Sequence, residues 1–117
     1  MPSAPQSEMD PQQLLPLTPT VFAILLALAG GDKHGYAIMK ETAEPEGGGI
    51  SLGPGTLYGA LDRLVQGRLA EETGTTDDER RRYYRITRFG ARVLAAEMTR
   101  LNQALCAARR KGIAQRV

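Results

Sequence analysis

Apolar residues recur along this chain with two different periods, and the changes between them mark out its elements. Val21, Phe22, Ile24, Leu25 and Leu28 follow helical spacing, with Thr18 or Thr20 available as a cap, Pro19 in the opening turn and Gly30-Gly31 as the stop. A second helix is expected from a cap at Asp32, with His34, Gly35 and Tyr36 in its first turn and Ile38 and Met39 facing inward. Pro45 and the glycines at 47–49 end it near Glu44, and Ile50-Ser51 is expected as a very short strand. The third helix opens at Gly53, Pro54 and Gly55, carries Thr56 in its first turn and ends at Gly67. At about 100° per residue, Leu57, Leu61, Leu64 and Val65 share roughly a third of its circumference and must face a core. Gly55, Gly59, Asp62 and Gln66 point away, with Thr56 and Arg63 on one flank and Tyr58 on the other. Such a small, polar surface suits close approach to a groove, although any amphipathic helix facing water shows the same stripe.

From Leu69 the period shortens. Leu69–Thr73 and Arg81–Thr87 read as strands joined by the polar turn GTTDDE, and Tyr83 and Tyr84, being adjacent, must face opposite sides. Thr87 can then cap a final helix running to about Lys111. Leu94, Met98, Leu101, Leu105 and Ala108 are spaced 4, 3, 4 and 3, as in a coiled-coil seam. That stripe either packs on its own domain or pairs with a second copy; the second reading is preferred because little else in the chain could cover it. The fold class expected is mainly α with a small β-wing: a winged helix-turn-helix domain with a long C-terminal dimerisation helix. Its parts are a flexible arm at 1–16, the winged helix at 17–87, the dimerisation helix at 88–112 and a tail at 113–117; Leu14, Leu15 and Leu17, where the arm meets the domain, could still pack on a neighbouring chain.

Composition narrows the function. A chain of 117 residues holds one modest core, which favours a binding module over an enzyme. One cysteine, Cys106, allows no internal disulfide, and one histidine, His34, makes a His/Cys zinc site implausible. No nucleophile with its base is recognisable, so no catalytic residue, metal or cofactor is expected. The apolar run Val21–Ala29 is far below the roughly 20 residues needed to span a bilayer, and the start of the chain lacks early basic residues. No membrane association and a cytoplasmic location are therefore expected. Charge is unevenly placed: residues 1–52 hold two basic and six acidic side chains, the remainder thirteen and seven. The second half thus suits an anionic partner.

Three stretches carry a more specific signal. HGYAI at 34–38, GTLYGALDRL at 55–64 and RRRYYRIT at 80–87 followed by FG at 89–90 resemble the PadR family of bacterial transcriptional regulators. The likeness covers about residues 17–108, and the length resembles the family's short form. It implies a homodimer on a pseudo-palindromic double-stranded DNA operator, most often as a repressor, with the third helix in the major groove and the wing beside the backbone. DNA contacts implied by position are Ser51, Gly55, Thr56, Tyr58, Arg63, Arg80, Arg81, Arg82 and Tyr83; His34 and Tyr36 either touch phosphate or support the third helix. Leu94, Met98, Leu101, Leu105 and Ala108 would form the dimer seam. Some relatives respond to a small-molecule effector in a cavity between subunits, which Met98 or Cys106 could line here; nothing in the sequence names its chemistry.

Two positions depart from the family pattern. Gly59 stands where relatives commonly carry a larger side chain, and Asp62 where many are basic. An acid there is repelled by phosphates, and either accepts from a cytosine amine or anchors Arg63. A rival reading from another class is a winged-helix protein-interaction module that binds no DNA and sets Arg80–Arg82 against an acidic protein surface.

Overall fold

The computed structural model describes residues 10–113. In chain order it forms α1 (Pro19–Ala29), β1 (Lys33–His34), α2 (Gly35–Ala43), α3 (Pro54–Gln66), β2 (Ala70–Thr76), β3 (Arg82–Ile86) and α4 (Arg88–Arg110). The three strands make one antiparallel sheet in the order β1-β3-β2. This is a mainly helical fold with a small sheet and a long final helix, as the periodicity predicts.

Local chemistry sets most of the boundaries. The Thr18 hydroxyl accepts from the Val21 N–H at 3.2 Å and Pro19 occupies the first turn of α1, while Thr87 accepts from the Gly90 N–H at 2.9 Å to open α4. A cap of this kind stabilises a helix by about 1 kcal/mol. Lys33 closes the other end of α1, its Nζ donating to the Ala27 carbonyl at 2.7 Å.

The start of α2 differs from expectation. Its cap is His34, whose Nδ1 accepts from the Ala37 N–H at 3.2 Å, and not Asp32. Lys33 and His34 are pulled into the sheet opposite Tyr84 and Tyr83, which moves the helix start beyond them. Asp32 instead accepts from Arg85 Nη2 at 3.1 Å. The strand expected at Ile50-Ser51 is absent: the Ile50 N–H donates to the Thr42 carbonyl at 2.7 Å, and the third strand of the sheet is β1.

The core gathers Ile24, Leu25 and Leu28 of α1, Ile38 of α2, Leu57, Ala60, Leu61 and Leu64 of α3, Tyr84 of β3, and Phe89, Val93 and Leu94 of α4. Val65, expected among them, is 38% exposed. The buried stripe of α3 is centred between Ala60 and Leu61, which leaves Val65 about 40° beyond its edge. The alternation in β3 resolves with Tyr84 buried and Tyr83 only partly covered.

Of the segment expected as a flexible arm, residues 1–9 lie outside the described residues. Residues 10–16 are ordered, with a short 3-10 turn over Pro11–Leu14 capped by Asp10. Leu14, Leu15 and Leu17 pack against the core of their own chain. One acid holds this segment down: Glu97 on α4, 2% exposed, accepts from the Leu17 N–H at 3.0 Å and from the Arg100 guanidinium at 2.6 and 3.1 Å. The Arg100 hydrogen bonds keep its carboxyl below the usual range, against the upward pull of burial. Leu94 is 7% exposed and belongs to the domain core, whereas Met98, Leu101 and Leu105 beyond it are exposed, Met98 by 46%.

Candidate functional site

The tight turns around α2 and α3 place two helix starts beside the returning strand of the hairpin. A cleft of about 660 Å3 opens there, lined by Tyr36 and Met39 of α2, Pro54, Tyr58 and Asp62 of α3, and Arg80, Arg81 and Arg82 of the wing. Gly35 and Tyr84 form its floor. Gly35 permits this closeness: a Cβ built on it would collide with the Tyr58 hydroxyl and come within 2.7 Å of that ring's Cζ. Tyr58 is thereby laid across the start of α2 with its outer face exposed. Burial, with the negative charge of Glu72 nearby, pushes the Tyr84 hydroxyl above its ordinary value.

His34 joins α2 to the wing. Its ring stacks on Tyr36 at 6.4 Å with a 17° interplanar angle and meets the edge of Tyr83 at 5.2 Å and 86°. Because Nδ1 is engaged as the helix cap, only Nε2 is left to meet another molecule. His34 therefore supports α2 from within the fold, and the exposed partner of the pair is Tyr36.

The wing tip is organised by Asp77, which the sequence pattern does not single out. Its Oδ1 accepts from the Glu79 and Arg81 N–H groups at 2.9 and 3.1 Å, and its Oδ2 accepts from Arg81 Nε at 2.7 Å and the Tyr83 hydroxyl at 3.1 Å. Burial pushes this carboxyl up, but the hydrogen bonds from Arg81, Glu79 and Tyr83 together outweigh it and bring the pKa down from 3.8 to about 2. Tyr83 is raised, by burial first and by its bond to Asp77 second.

These bonds divide the arginine triplet. Arg81 is held by Asp77 and, at 2.8 Å, by Glu79, while Arg82 sits 3.6 Å from Glu72. Arg80 is exposed, takes the left-handed conformation with φ of 61°, and forms no ion pair among the described residues. The tight turn made by Asp77 thus presents Arg80 outward as its unneutralised cation. An Asp followed by an arginine four residues on at a hairpin turn could have signalled the pairing in the sequence.

The remaining predicted positions separate into two groups. Ser51, Gly55 and Thr56 are exposed at the entry to α3, on open surface. Cβ atoms built on Gly53 and Gly55 would meet nothing within 4 Å, so no neighbour among the described residues requires a glycine at either place. Arg63 lies on the other flank of α3, beside Leu14, Pro16, Leu17, Thr18 and Val21, and does not share the cleft with Tyr58 and the wing.

A family model described as the transcriptional regulator PadR-like family matches residues 24–96, a span that includes β1, α2, α3, the wing and the first part of α4. A curated relative, an uncharacterized 37.1 kDa protein in transposon TN4556 of Streptomyces fradiae, is 43% identical over 77 residues, covering 63% of this chain and 20% of that protein. The chain therefore spans about a fifth of that relative's length. Among solved structures, RosR of H. salinarum is 27% identical with a TM-score of 0.68 over 86% of this chain and 89% of its own. A transcriptional regulator of Clostridium thermocellum is 25% identical with a TM-score of 0.64 over 78% and 87%. A PadR family transcription regulator of Clostridium difficile shares the fold at a TM-score of 0.67, with 24% identity over 80% of this chain and 97% of that one.

Proposed function

Because the chain belongs to the PadR-like family of transcriptional regulators, we propose that it binds double-stranded DNA sequence-specifically, as a homodimeric repressor on a pseudo-palindromic operator. The observation that carries this reading is the exposed polar face of α3 lying beside a wing whose Arg80 is exposed and forms no ion pair among the described residues. Family membership also sets the protein among regulators and not among enzymes.

The work divides by chemistry. Arg80 and the backbone amides opening α3 neutralise phosphates and release counterions, which supplies affinity and salt sensitivity without choosing a sequence. Thr56 and Tyr58, on the exposed face of α3, meet base edges and groove walls. Arg81 and Arg82, engaged by acids of their own hairpin, stiffen the wing and act on DNA mainly by aiming Arg80.

One inserted helix reads only a few base pairs, so two copies with half-sites about one helical turn apart provide the specificity. Met98, Leu101 and Leu105 form the exposed stripe through which α4 pairs, and Ala108 extends it. Leu94 anchors α4 to its own domain, so the seam begins one step later than the spacing alone suggests. No helix among the described residues is long and apolar enough to cross a membrane, and a cytoplasmic location suits a DNA partner. An effector cavity between subunits belongs to the same proposal, with Met98 and Cys106 close to where it would form.

The test is a mobility-shift titration of the protein on DNA from upstream of its own gene and on random duplex, at several salt concentrations. A preference for the upstream DNA that steepens as salt rises supports the reading. Equal, weak binding to both, or none, overturns it.

A further inference from the structure

We infer that Asp62 is a specificity-determining residue that reads cytosine in each half-site, an inference that rests on the DNA-binding reading above and sharpens it. Two roles are open to an acid at this point of α3, and the structure separates them. Anchoring Arg63 is the first. Arg63 borders the N-terminal segment and its Nη1 lies 3.7 Å from a Cβ built on Gly59, on the outer face that Asp62 shares, yet no ion pair joins the two. Asp62 lines the cleft with Tyr58 and the wing.

Its isolation is unusual for this half of the chain. From residue 53 to 113, Glu71, Glu72, Asp77, Glu79 and Glu97 each pair with an arginine. Among the described residues only Asp62 and Asp78 of that span do not, and Asp78 stands at the hairpin turn. Three arginines share the cleft with Asp62: Arg81 and Arg82 are taken by acids of the wing, and Arg80 lines the same cleft without forming an ion pair to Asp62. Asp62 is thus an exposed carboxylate with no ion-pair partner among the described residues, on the surface of α3 that also carries Tyr58 and Gln66.

A carboxylate can only accept hydrogen bonds. In the major groove the donors are the cytosine N4 and adenine N6 amines; adenine sets its N7 acceptor beside the amine, and guanine offers acceptors alone. Cytosine is therefore the base that rewards Asp62, and any register without a donor leaves the carboxylate desolvated near phosphates. Gly59, one turn before it, adds no side chain of its own, and the only group within 4 Å of where its Cβ would stand is the movable end of Arg63. The same acid that weakens binding to arbitrary DNA thereby sharpens the choice of operator.

Selection from a randomised duplex library tests this with the wild-type protein, Asp62→Ala and Asp62→Asn. Wild type is expected to enrich a half-site with one strongly preferred C·G pair. Asp62→Ala should lose that preference by roughly ten-fold or more while keeping the others, and should bind unselected duplex several-fold more tightly. Asp62→Asn, whose amide both donates and accepts, should turn the preference at that position toward adenine. If wild type enriches a motif and both variants enrich it with the same preference at every position, Asp62 reads nothing and the inference falls while DNA binding stands. If wild type enriches no motif, the DNA reading itself fails and the inference with it.

Discussion

The hydroxyl end of Tyr58 occupies the place where a Cβ on Gly35 would stand, so α3 meets the start of α2 at a point with no room for one more carbon on Gly35. This contact fixes the direction in which Tyr58 faces the cleft. Gly35→Ala should destabilise the domain by about 1–3 kcal/mol through overpacking and weaken DNA binding by turning Tyr58 aside. In a Tyr58→Ala background the same change should cost far less, because the two closest atoms it strikes are gone and only Leu57 Cδ2, at 3.2 Å, remains. Denaturant unfolding of the four proteins measures the coupling; equal costs in both backgrounds would show that the contact does not set the packing.

Arg80 and Arg81 are neighbours with different tasks. Arg80→Ala should leave the melting temperature unchanged and reduce the salt dependence of DNA binding by about one counterion per subunit. Arg81→Ala should instead loosen the hairpin, seen as faster amide exchange at Glu79 and Arg81 and as a changed Tyr83 environment. A larger loss of salt dependence for Arg81→Ala than for Arg80→Ala would reverse the assignment.

Asp77 gives the wing a defined acid limit. Its pKa in the folded chain is about 2, below the 3.8 of a free aspartate. A depressed carboxyl contributes stability that is fully present above the unfolded value and is lost as pH falls through the folded one. The wing should therefore keep its hydrogen bonds at pH 4 and release them as the pH approaches 2. Carboxyl NMR of Asp77 gives the midpoint directly, and Asp77→Asn should abolish the transition. A midpoint near 4 would mean that the four hydrogen bonds do not hold in solution.

Glu97 is the buried acid that joins the N-terminal segment to α4. Glu97→Ala leaves the Leu17 N–H without its acceptor and should cost about 1–3 kcal/mol, with faster exchange at Leu17. Glu97→Gln keeps one acceptor oxygen and should recover part of the loss. Arg100 reaches solvent and can rehydrate once released. Unchanged Leu17 exchange in Glu97→Ala would show that this bond is not what holds the segment.

Leu101 lies in the middle of the exposed stripe of α4, away from the domain core. Leu101→Glu should give folded monomers with poor operator affinity, read by sedimentation and by a shift assay. Leu94→Glu should unfold the domain, since Leu94 is core. An intact Leu101→Glu dimer would place the seam elsewhere.

The elements of this protein were legible in its sequence where their signals are local. Thr18 and Pro19, Gly53 and Pro54, Gly67 and Thr87 each act within about one turn, so the limits of α1, α3 and α4 follow from short stretches read alone. The pairing of Leu57, Leu61 and Leu64 on one side of α3 is likewise a consequence of helical period. What could not be read locally was decided by groups that meet only after the chain has closed on itself. His34 became the cap of α2 because Tyr83 and Tyr84, about fifty residues later, drew Lys33 and His34 into a sheet. Alternation required one tyrosine of that pair to turn inward, but only packing against the core chose Tyr84. The neutralisation of Arg81, and the lack of an ion pair at Arg80 and at Asp62 among the described residues, are likewise properties of closure. A sequence states the charges, while the folded backbone determines which of them stand close enough to cancel.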